Sequence, residues 1–324
     1  MYQIHNQPVR HGQSPLIFVV LVAFNNSEDV ISCLKSLKEQ TFSRFEVIIV
    51  DNASNQVEID NITMFITSQE VGNSRIKFIK NDSNLGYSGG NNVGIKYAIE
   101  HGARYVLGLN PDTLLARDAI STMIEVAERD SKIGAIGPVI DEGSRIIYGG
   151  KIEWLKPELR HLTTRHPLSA KNFFLTGACL LVRREVFEKI ATERERGSTK
   201  AQQSVRGLFD ERYFLYFEDA DLCVRIQKAG YKLSIADQAK LYHKVSATTS
   251  KLGAPKLLRY HYRNAHVFNM KHAPAWAFIL LPFWSILIII KQLLKLMVGK
   301  DKQISKEILL GVLDFYRGNF GRIT

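Results

Sequence analysis

Cysteine is scarce. Three occur in 324 residues, Cys33, Cys179 and Cys223, far apart and without metal-type spacing. A disulfide-stapled fold and a zinc module are therefore both excluded, and a reduced, cytosolic compartment is expected. There is no short internal repeat and no heptad run, which argues against solenoids and coiled coils. The first residues, MYQIHNQPVRHGQSP, have no apolar core. Residues 1–14 are expected to form a loose tail rather than a secretory signal. An RNP-like aromatic motif and a long basic block are also missing, so nucleic acid is not the expected partner. The formal net charge is nevertheless +11. That balance suits another anionic partner, an acidic lipid surface or a phosphorylated substrate.

What the sequence does contain is an alternation of strands and helices. Leu16–Phe24 (LIFVVLVAF) and Phe45–Asp51 (FEVIIVD) are continuous apolar runs, the pattern of strands buried on both faces. Between them EDVISCLKSLKEQ places Val30, Leu34 and Leu37 at helical spacing. A weaker helix around Asp60–Gln69, a strand at IKFIK, a helix over Gly90–Glu100, a strand at Arg104–Asn110 and a helix over Arg117–Arg129 continue the rhythm. This βαβα order predicts an α/β fold with a mostly parallel central sheet and ligands at the carboxyl ends of its strands. After about residue 140 short apolar runs alternate with loops. Ala191–Arg206, highly charged, reads as a surface loop, and a helix over Asp219–Ala229 stops at Gly230.

Near the end, Ala273–Ile290 (APAWAFILLPFWSILIII) carries no charge over 18 residues. That is the short limit for crossing a bilayer. Pro282 interrupts it, and Trp276 and Trp284 are interface-type residues flanked by Lys271, Lys291 and Lys295. A helix lying in or dipping into one leaflet is preferred over a span or a buried core helix.

Four constellations sit at expected strand ends. Asp51 could hold a base or ribose, or simply cap a turn. Asn81–Gly94 (NDSNLGYSGGNNVG) could bring backbone close to a diphosphate, or be a Gly/Asn-rich turn. Its glycines, at 86, 89, 90 and 94, lack the G-x-G-x-x-G spacing of a dinucleotide fold. Asn110-Pro111-Asp112 could place an acid on Mg2+ or Mn2+ beside a substrate diphosphate, or form a β-turn. Glu218, Asp219 and Asp221 crowd a helix start. There they could complement its dipole or supply a general base. The aromatics Tyr213, Phe214, Tyr216 and Phe217 before them would shield such a site or fill core. His243, after a short strand, is a further possible metal ligand or a structural residue.

The ordered set of segments resembles the inverting family 2 glycosyltransferases of GT-A fold, in their rhamnosyltransferase-like branch. The segments are VVLVAFNNSEDVISCLKSLKEQTFSRFEVIIVDNAS, NLGYSGGNNVGI, LGLNPDTLL, TGACLLVRREVF, FDERYFLYFEDADLCVRIQKAGYKL and YHKVSA, spread over roughly Pro15–Ser250. The resemblance implies Asp51 on the donor nucleoside, with Ala23 and Asn25 beside the base. It also implies Asn84 and Gly86 near the donor, Asp112 as donor-side metal ligand, His243 as the late metal ligand and Asp219 as catalytic base. Glu218 and Asp221 would tune the base or bind acceptor hydroxyls. Asn110 stands where the family's metal motif has its first acid, and Ala191–Arg206 departs from the usual direct connection. A divalent cation, Mg2+ or Mn2+, follows as cofactor.

By the same resemblance, residues 15–250 form the transferase domain and 251–324 a helical, membrane-associating extension. The implied reaction moves a sugar, rhamnose from dTDP-rhamnose in the first instance, to a saccharide or polyprenyl-diphosphate-linked acceptor. The place is the inner face of the cell membrane, in cell-surface polysaccharide assembly. A galactofuranosyl or hexosyl donor, a catalytically silent carbohydrate- or lipid-binding protein, and a nicotinamide-dependent oxidoreductase are the alternatives.

Overall fold

The computed structural model describes residues 16–68, 75–165, 172–195, 208–244 and 254–323. The expected tail at 1–14, residues 196–206 of the charged stretch and residues 245–250 lie outside them. The first half runs β1 (Ile17–Ala23), α1 (Ser27–Lys38), β2 (Phe45–Asp51), α2 (Gln56–Thr67), β3 (Arg75–Lys80), α3 (Gly86–Glu100), β4 (Tyr105–Leu109), β5 (Thr113–Leu115) and α4 (Ala119–Arg129). Then come β6 (Ile133–Asp141), β7 (Ile146–Ile147), β8 (Gly150–Glu153), β9 (Glu158–His161), β10 (Phe173–Phe174), β11 (Cys179–Arg183), α5 (Arg184–Glu195), α6 (Glu218–Lys228) and β12 (Lys232–His243). Three helices close the chain: α7 (Ala254–His272), α8 (Ala275–Met297) and α9 (Lys302–Arg317).

The main sheet is ordered β3-β2-β1-β4-β11-β6-β12-β5, with β7 on β6. From β3 to β4 every pairing is parallel, as the βαβα rhythm predicts. Beyond β4 the sheet becomes mixed: β11 runs antiparallel to both β4 and β6, β12 parallel to β6, and β5 antiparallel to β12. The short runs after residue 140 supply the antiparallel strands. β10, β8 and β9 form a second, antiparallel sheet.

Alternation along β1 explains its unbroken apolar run. Ile17, Val19 and Leu21 enter a core shared with Val30, Leu34 and Leu37 of α1 and Ile62 of α2. Phe18 and Val20 enter the opposite core, with Ile95 and Ala98 of α3. Two glycines one turn apart, Gly90 and Gly94, allow α3 to lie this close. A Cβ on Gly90 would fall 2.6 Å from Val22, and one on Gly94 would overlap Val20. The three cysteines are free and buried, their thiols pushed up by burial, Cys33 to about 12.

The C-terminal extension is not a detached body. Ala265, Val267 and Phe268 of α7 belong to the same core as Phe18 and Val20. Helix α8 buries one stripe, Ala277, Leu281, Ser285, Ile288 and Gln292, and α9 buries Ile308 and Val312. Ser285 Oγ bonds His266 Nε2 at 2.9 Å and accepts from the Tyr316 hydroxyl at 2.8 Å, so a small polar cluster sets the register of the three helices. The opposite side of α8 exposes Trp276, Ile279, Phe283, Leu287, Ile290 and Leu294.

Candidate active site

The carboxyl ends of β1 and β2 are stitched together. Ala23 pairs with Asp51, and its carbonyl accepts from Asn52 N–H at 2.8 Å. Asp51 is fully buried, and both carboxylate oxygens lie 3.3 Å from Ser54 N–H, the turn-capping role open to it from sequence. Asn25, in the left-handed region at φ 52°, takes hydrogen bonds from the backbone and side chain of Asn55 at 2.9 and 3.1 Å. Asn84 Oδ1 holds Gly86 N–H at 2.8 Å, and the Gly86 carbonyl accepts from Asn52 at 2.8 Å. Ala23, Asn25, Asp51, Asn84 and Gly86 thus share one rim of the sheet. Gly86 is at φ 74°, and a Cβ there would strike Phe214. The glycines of this segment face protein, which gives them a packing reason independent of any ligand.

Further along the rim, β5 and β12 bring Asp112 and His243 together. Asp112 Oδ1 lies 3.4 Å from His243 Nε2. Both atoms are buried, and among the described residues neither meets hydrogen-bond geometry with any group. With the imidazole neutral and its Nε2 lone pair turned toward Asp112, the two atoms would fit a shared cation better than a finished core. Glu142, which the sequence reading missed, stands 3.5 Å from the other imidazole nitrogen and is itself tied to Arg145 at 2.5 Å. Burial pulls the His243 imidazole down, but Asp112 and Glu142 outweigh it and hold it above its ordinary value. Among the described residues no group of three or more His, Cys, Asp or Glu side chains is arranged to enclose a metal. A cation here would therefore depend on substrate oxygens for its remaining ligands.

The acids of α6 separate into three environments. Asp219 is partly exposed; its Oδ2 accepts from Gly177 N–H at 2.9 Å and its Oδ1 from Ala220 N–H at 2.7 Å. Burial raises its carboxyl above the usual range against these two donors. Glu218 is buried with Oε2 unpartnered, and burial together with the Asp219 charge pushes it well up. Asp221 is fully enclosed. It accepts from Arg225 Nε at 2.7 Å, His272 Nε2 at 2.7 Å, Tyr213 at 3.3 Å and Lys271. Burial would raise it, but Arg225, Lys271 and His272 hold it well below the carboxylate range. This corrects the expectation that Asp221 meets acceptor hydroxyls: it has no surface to offer them. Of the aromatic run, Tyr213, Phe214 and Phe217 are core, and Tyr216 is half-buried.

The segment 176–178 joins the two halves. Ala178 accepts from Asn110 N–H at 2.9 Å, next to the Asp112 turn, while Gly177 holds Asp219. Tyr87 donates to the Gly177 carbonyl at 2.6 Å and lies within reach of the charges of Glu218, Asp219 and Asp112. His161 of β9 feels Asp219, Glu142 and His243 at once. Tyr87 lies within NLGYSGGNNVGI but was not itself a candidate, and His161 lies in none of the quoted segments, because each reaches the site through tertiary pairing. A carboxylate held by two backbone donors, beside an acid–imidazole pair, can accept a proton next to a site for a cation and an anionic leaving group.

The family described as Glycosyl transferase family 2 matches residues 18–191. The chain is 28% identical over 232 residues to an amylovoran biosynthesis glycosyltransferase of Erwinia amylovora, covering 70% of this chain and 69% of that one. It is 26% identical over 285 residues to an N-acetylglucosaminyl-diphospho-decaprenol L-rhamnosyltransferase of Mycobacterium tuberculosis, covering 80% and 85%. Among solved structures, a mannosyltransferase from Pyrobaculum calidifontis in complex with GDP-Man and Mn2+ superposes with a TM-score of 0.55 at 13% identity. The match covers 95% of this chain and 88% of that one, and it is a likeness of fold.

Proposed function

The chain belongs to glycosyltransferase family 2, and from that premise we propose that it is an inverting, metal-dependent transferase of a nucleotide-activated sugar. The donor proposed is dTDP-rhamnose; rhamnose as the sugar, and a sugar on a polyprenyl diphosphate as the acceptor, follow the similarity to the mycobacterial rhamnosyltransferase. One observation carries the reading. The Asn110–Ala178 and Gly177–Asp219 hydrogen bonds tie the turn that carries Asp112, the partner of His243, and the Asp219 carboxylate to one short stretch of backbone.

Asp219 takes the proton of the acceptor hydroxyl as that oxygen bonds the anomeric carbon. The bond from this carbon to the diphosphate oxygen breaks, the nucleoside diphosphate leaves and the configuration inverts. Gly177 N–H orients the Asp219 carboxylate, and Tyr87 orients Gly177 in turn. Asp112 and His243 would hold the divalent cation, which when bound neutralises charge on the departing diphosphate. Asp51, Asn25 and Ala23 would meet the nucleoside, and Asn84 with Gly86 would shape the rim around it. Glu218, buried beside the base with its carboxyl pushed well up by burial and the Asp219 charge, tunes the base through proximity.

The decisive test is transfer assayed with a panel of nucleotide sugars on an N-acetylglucosaminyl diphospho-polyprenol acceptor. Rhamnosyl transfer from dTDP-rhamnose is expected, abolished by chelator and restored by Mn2+ or Mg2+. Turnover undiminished by chelator would remove the cation, and preference for a galactofuranosyl or hexosyl donor would reassign the sugar.

The acceptor lipid gives the exposed side of α8 a purpose. Trp276, Ile279, Phe283 and Leu287 form an apolar face, and α9 packed behind it displays Lys302, Lys306 and Arg317. A helix packed this way along its length suits lying at the bilayer surface, with the lysines toward acidic headgroups. Each large apolar side chain entering the lipid contributes about 1.5–3 kcal/mol. Cutting the chain after Met270 would also remove Lys271 and His272, the partners of Asp221, so point substitutions are cleaner. The double variant Phe283→Glu/Leu287→Glu is expected to stay in the supernatant when wild type sediments with phosphatidylglycerol-containing vesicles, at unchanged melting temperature. Equal recovery of both would remove α8 as the anchor.

A further inference from the structure

The segment that delivers Asp219 is strained. Phe214, Tyr216 and Phe217 have φ of 62°, 71° and 73°. A bulky side chain in the left-handed region costs about 1–3 kcal/mol, and such a shape persists only when its surroundings over-determine it. Phe217 occupies the residue before α6, so its backbone sets where the first turn, with Glu218 and Asp219, points.

The restraint comes from α7. Asn264 Nδ2 faces three carbonyls of this loop, those of Tyr213 at 2.8 Å, Leu215 at 2.7 Å and Tyr216 at 3.0 Å, its two hydrogens shared among them. Arg263 adds Nη2 to the carbonyls of Arg212 at 3.2 Å and Tyr213 at 3.1 Å, while its Nη1 is anchored on the Gly321 carbonyl at 2.8 Å. Arg263 Nε in turn donates to Asn264 Oδ1 at 3.0 Å, fixing the amide so that its donors face the loop. Both side chains are buried, at 1% and 0% exposure. On its other side the loop is met by Tyr87 N–H, which donates to the Phe214 carbonyl at 2.8 Å. Neither Arg263 nor Asn264 faces the rim where donor and cation would sit.

We propose that Asn264, with Arg263 behind it, is a positioning residue for the transfer reaction: it holds the 213–217 loop in its strained shape so that Asp219 is presented to the acceptor hydroxyl. The proposal rests on Asp219 being the base. Losing the amide lets the left-handed residues relax and swings the first turn of α6. A misplacement of about 1 Å is enough for a loss of about 10²-fold in rate. Most of the donor affinity is spared, because Ala23, Asn25 and Asp51 stand at the ends of β1 and β2; Gly86, packed on Phe214, is the rim residue that feels the change.

The experiment uses the full chain with Asn264→Ala, measuring kcat with dTDP-rhamnose and the lipid acceptor, binding of dTDP with Mn2+ by calorimetry, and the pH profile of kcat. Expected are a kcat lower by about 30-fold or more, dTDP affinity within about threefold, and an acid limb moved to lower pH as water reaches Asp219. A role confined to stability would reduce only the folded fraction. Unchanged kcat per folded molecule with an unmoved limb would overturn the proposal. Should Asn264→Ala fail to fold, Arg263→Lys keeps the charge and loses the fork. A kcat lower by about 5-fold with the same limb shift is then expected, and wild-type values would overturn the proposal. Asp219→Asn is run alongside. Normal turnover by that variant strikes the base assignment and the proposal with it. An inactive Asp219→Asn beside a normal Asn264→Ala strikes the positioning role alone.

Discussion

Asp219→Asn is expected to lower kcat by at least about 10²-fold while leaving nucleotide affinity within about threefold. The amide keeps the size and shape of the carboxylate, and its oxygen can still accept from Gly177 N–H, the contact seen at 2.9 Å, with the NH2 then set toward Ala220 N–H. What it loses is the capacity to take a proton as the acceptor oxygen attacks. A 10²-fold loss corresponds to about 2.7 kcal/mol of transition-state stabilisation, the scale of one general base. The pH profile provides a second reading. Burial raises the Asp219 carboxyl above the ordinary range. The base form is therefore present above that raised value, and kcat falls as pH drops through it. In Asp219→Asn this limb disappears from the residual rate. Calorimetry with dTDP and Mn2+ separates binding from chemistry, and near-normal turnover in a variant that binds donor would take Asp219 out of the base role.

The sheet's parallel half was legible because its strands are buried on both faces and read as continuous apolar runs, as Phe18 against Val19 illustrates. Its mixed half was not. β6, β11 and β12 pair across long separations, and nothing local in IIYGG or FFLTGACLLV states a direction. The helix boundaries moved for a related reason. Helix α3 begins at Gly86 rather than Gly90 because its first residues are fixed by the Phe214 carbonyl, far away in sequence. At the candidate site, Asp112, Asp219 and His243 were legible as candidates because each lies beside a strand end or a helix start. Glu142, Tyr87, Gly177 and His161 were not, because they acquire meaning only when the folded chain sets them around those three. Asp221 shows the converse limit. In sequence it is one more acid in EDAD, and its partners Lys271 and His272 arrive some fifty residues later.

Asp221→Asn is expected to destabilise the fold by about 3–5 kcal/mol at pH 7, the cost of leaving buried charge without its counter-ion. The substitution keeps the volume, so no cavity contributes. The amide has one acceptor oxygen: turned toward His272 it keeps that bond and sets its NH2 against Arg225, which bonded Asp221 Oδ2 at 2.7 Å and now lacks a counter-charge. Lys271 retains Asp210 at 2.9 Å, which places the expected value toward the lower end of that range. The pH dependence has a definite sign. In the folded chain Asp221 is held well below the value of about 3.9 that it has when unfolded. Its contribution is thus fully present above about pH 5 and is lost as pH falls toward the folded value. Chemical denaturation at several pH values should therefore show a gap between wild type and variant that is flat from about pH 5 upward and narrows below about pH 4. A gap below about 1 kcal/mol at pH 7 would mean that the α6–α7 cations are satisfied without Asp221, and that this buried network is not what ties the C-terminal helices to the catalytic one.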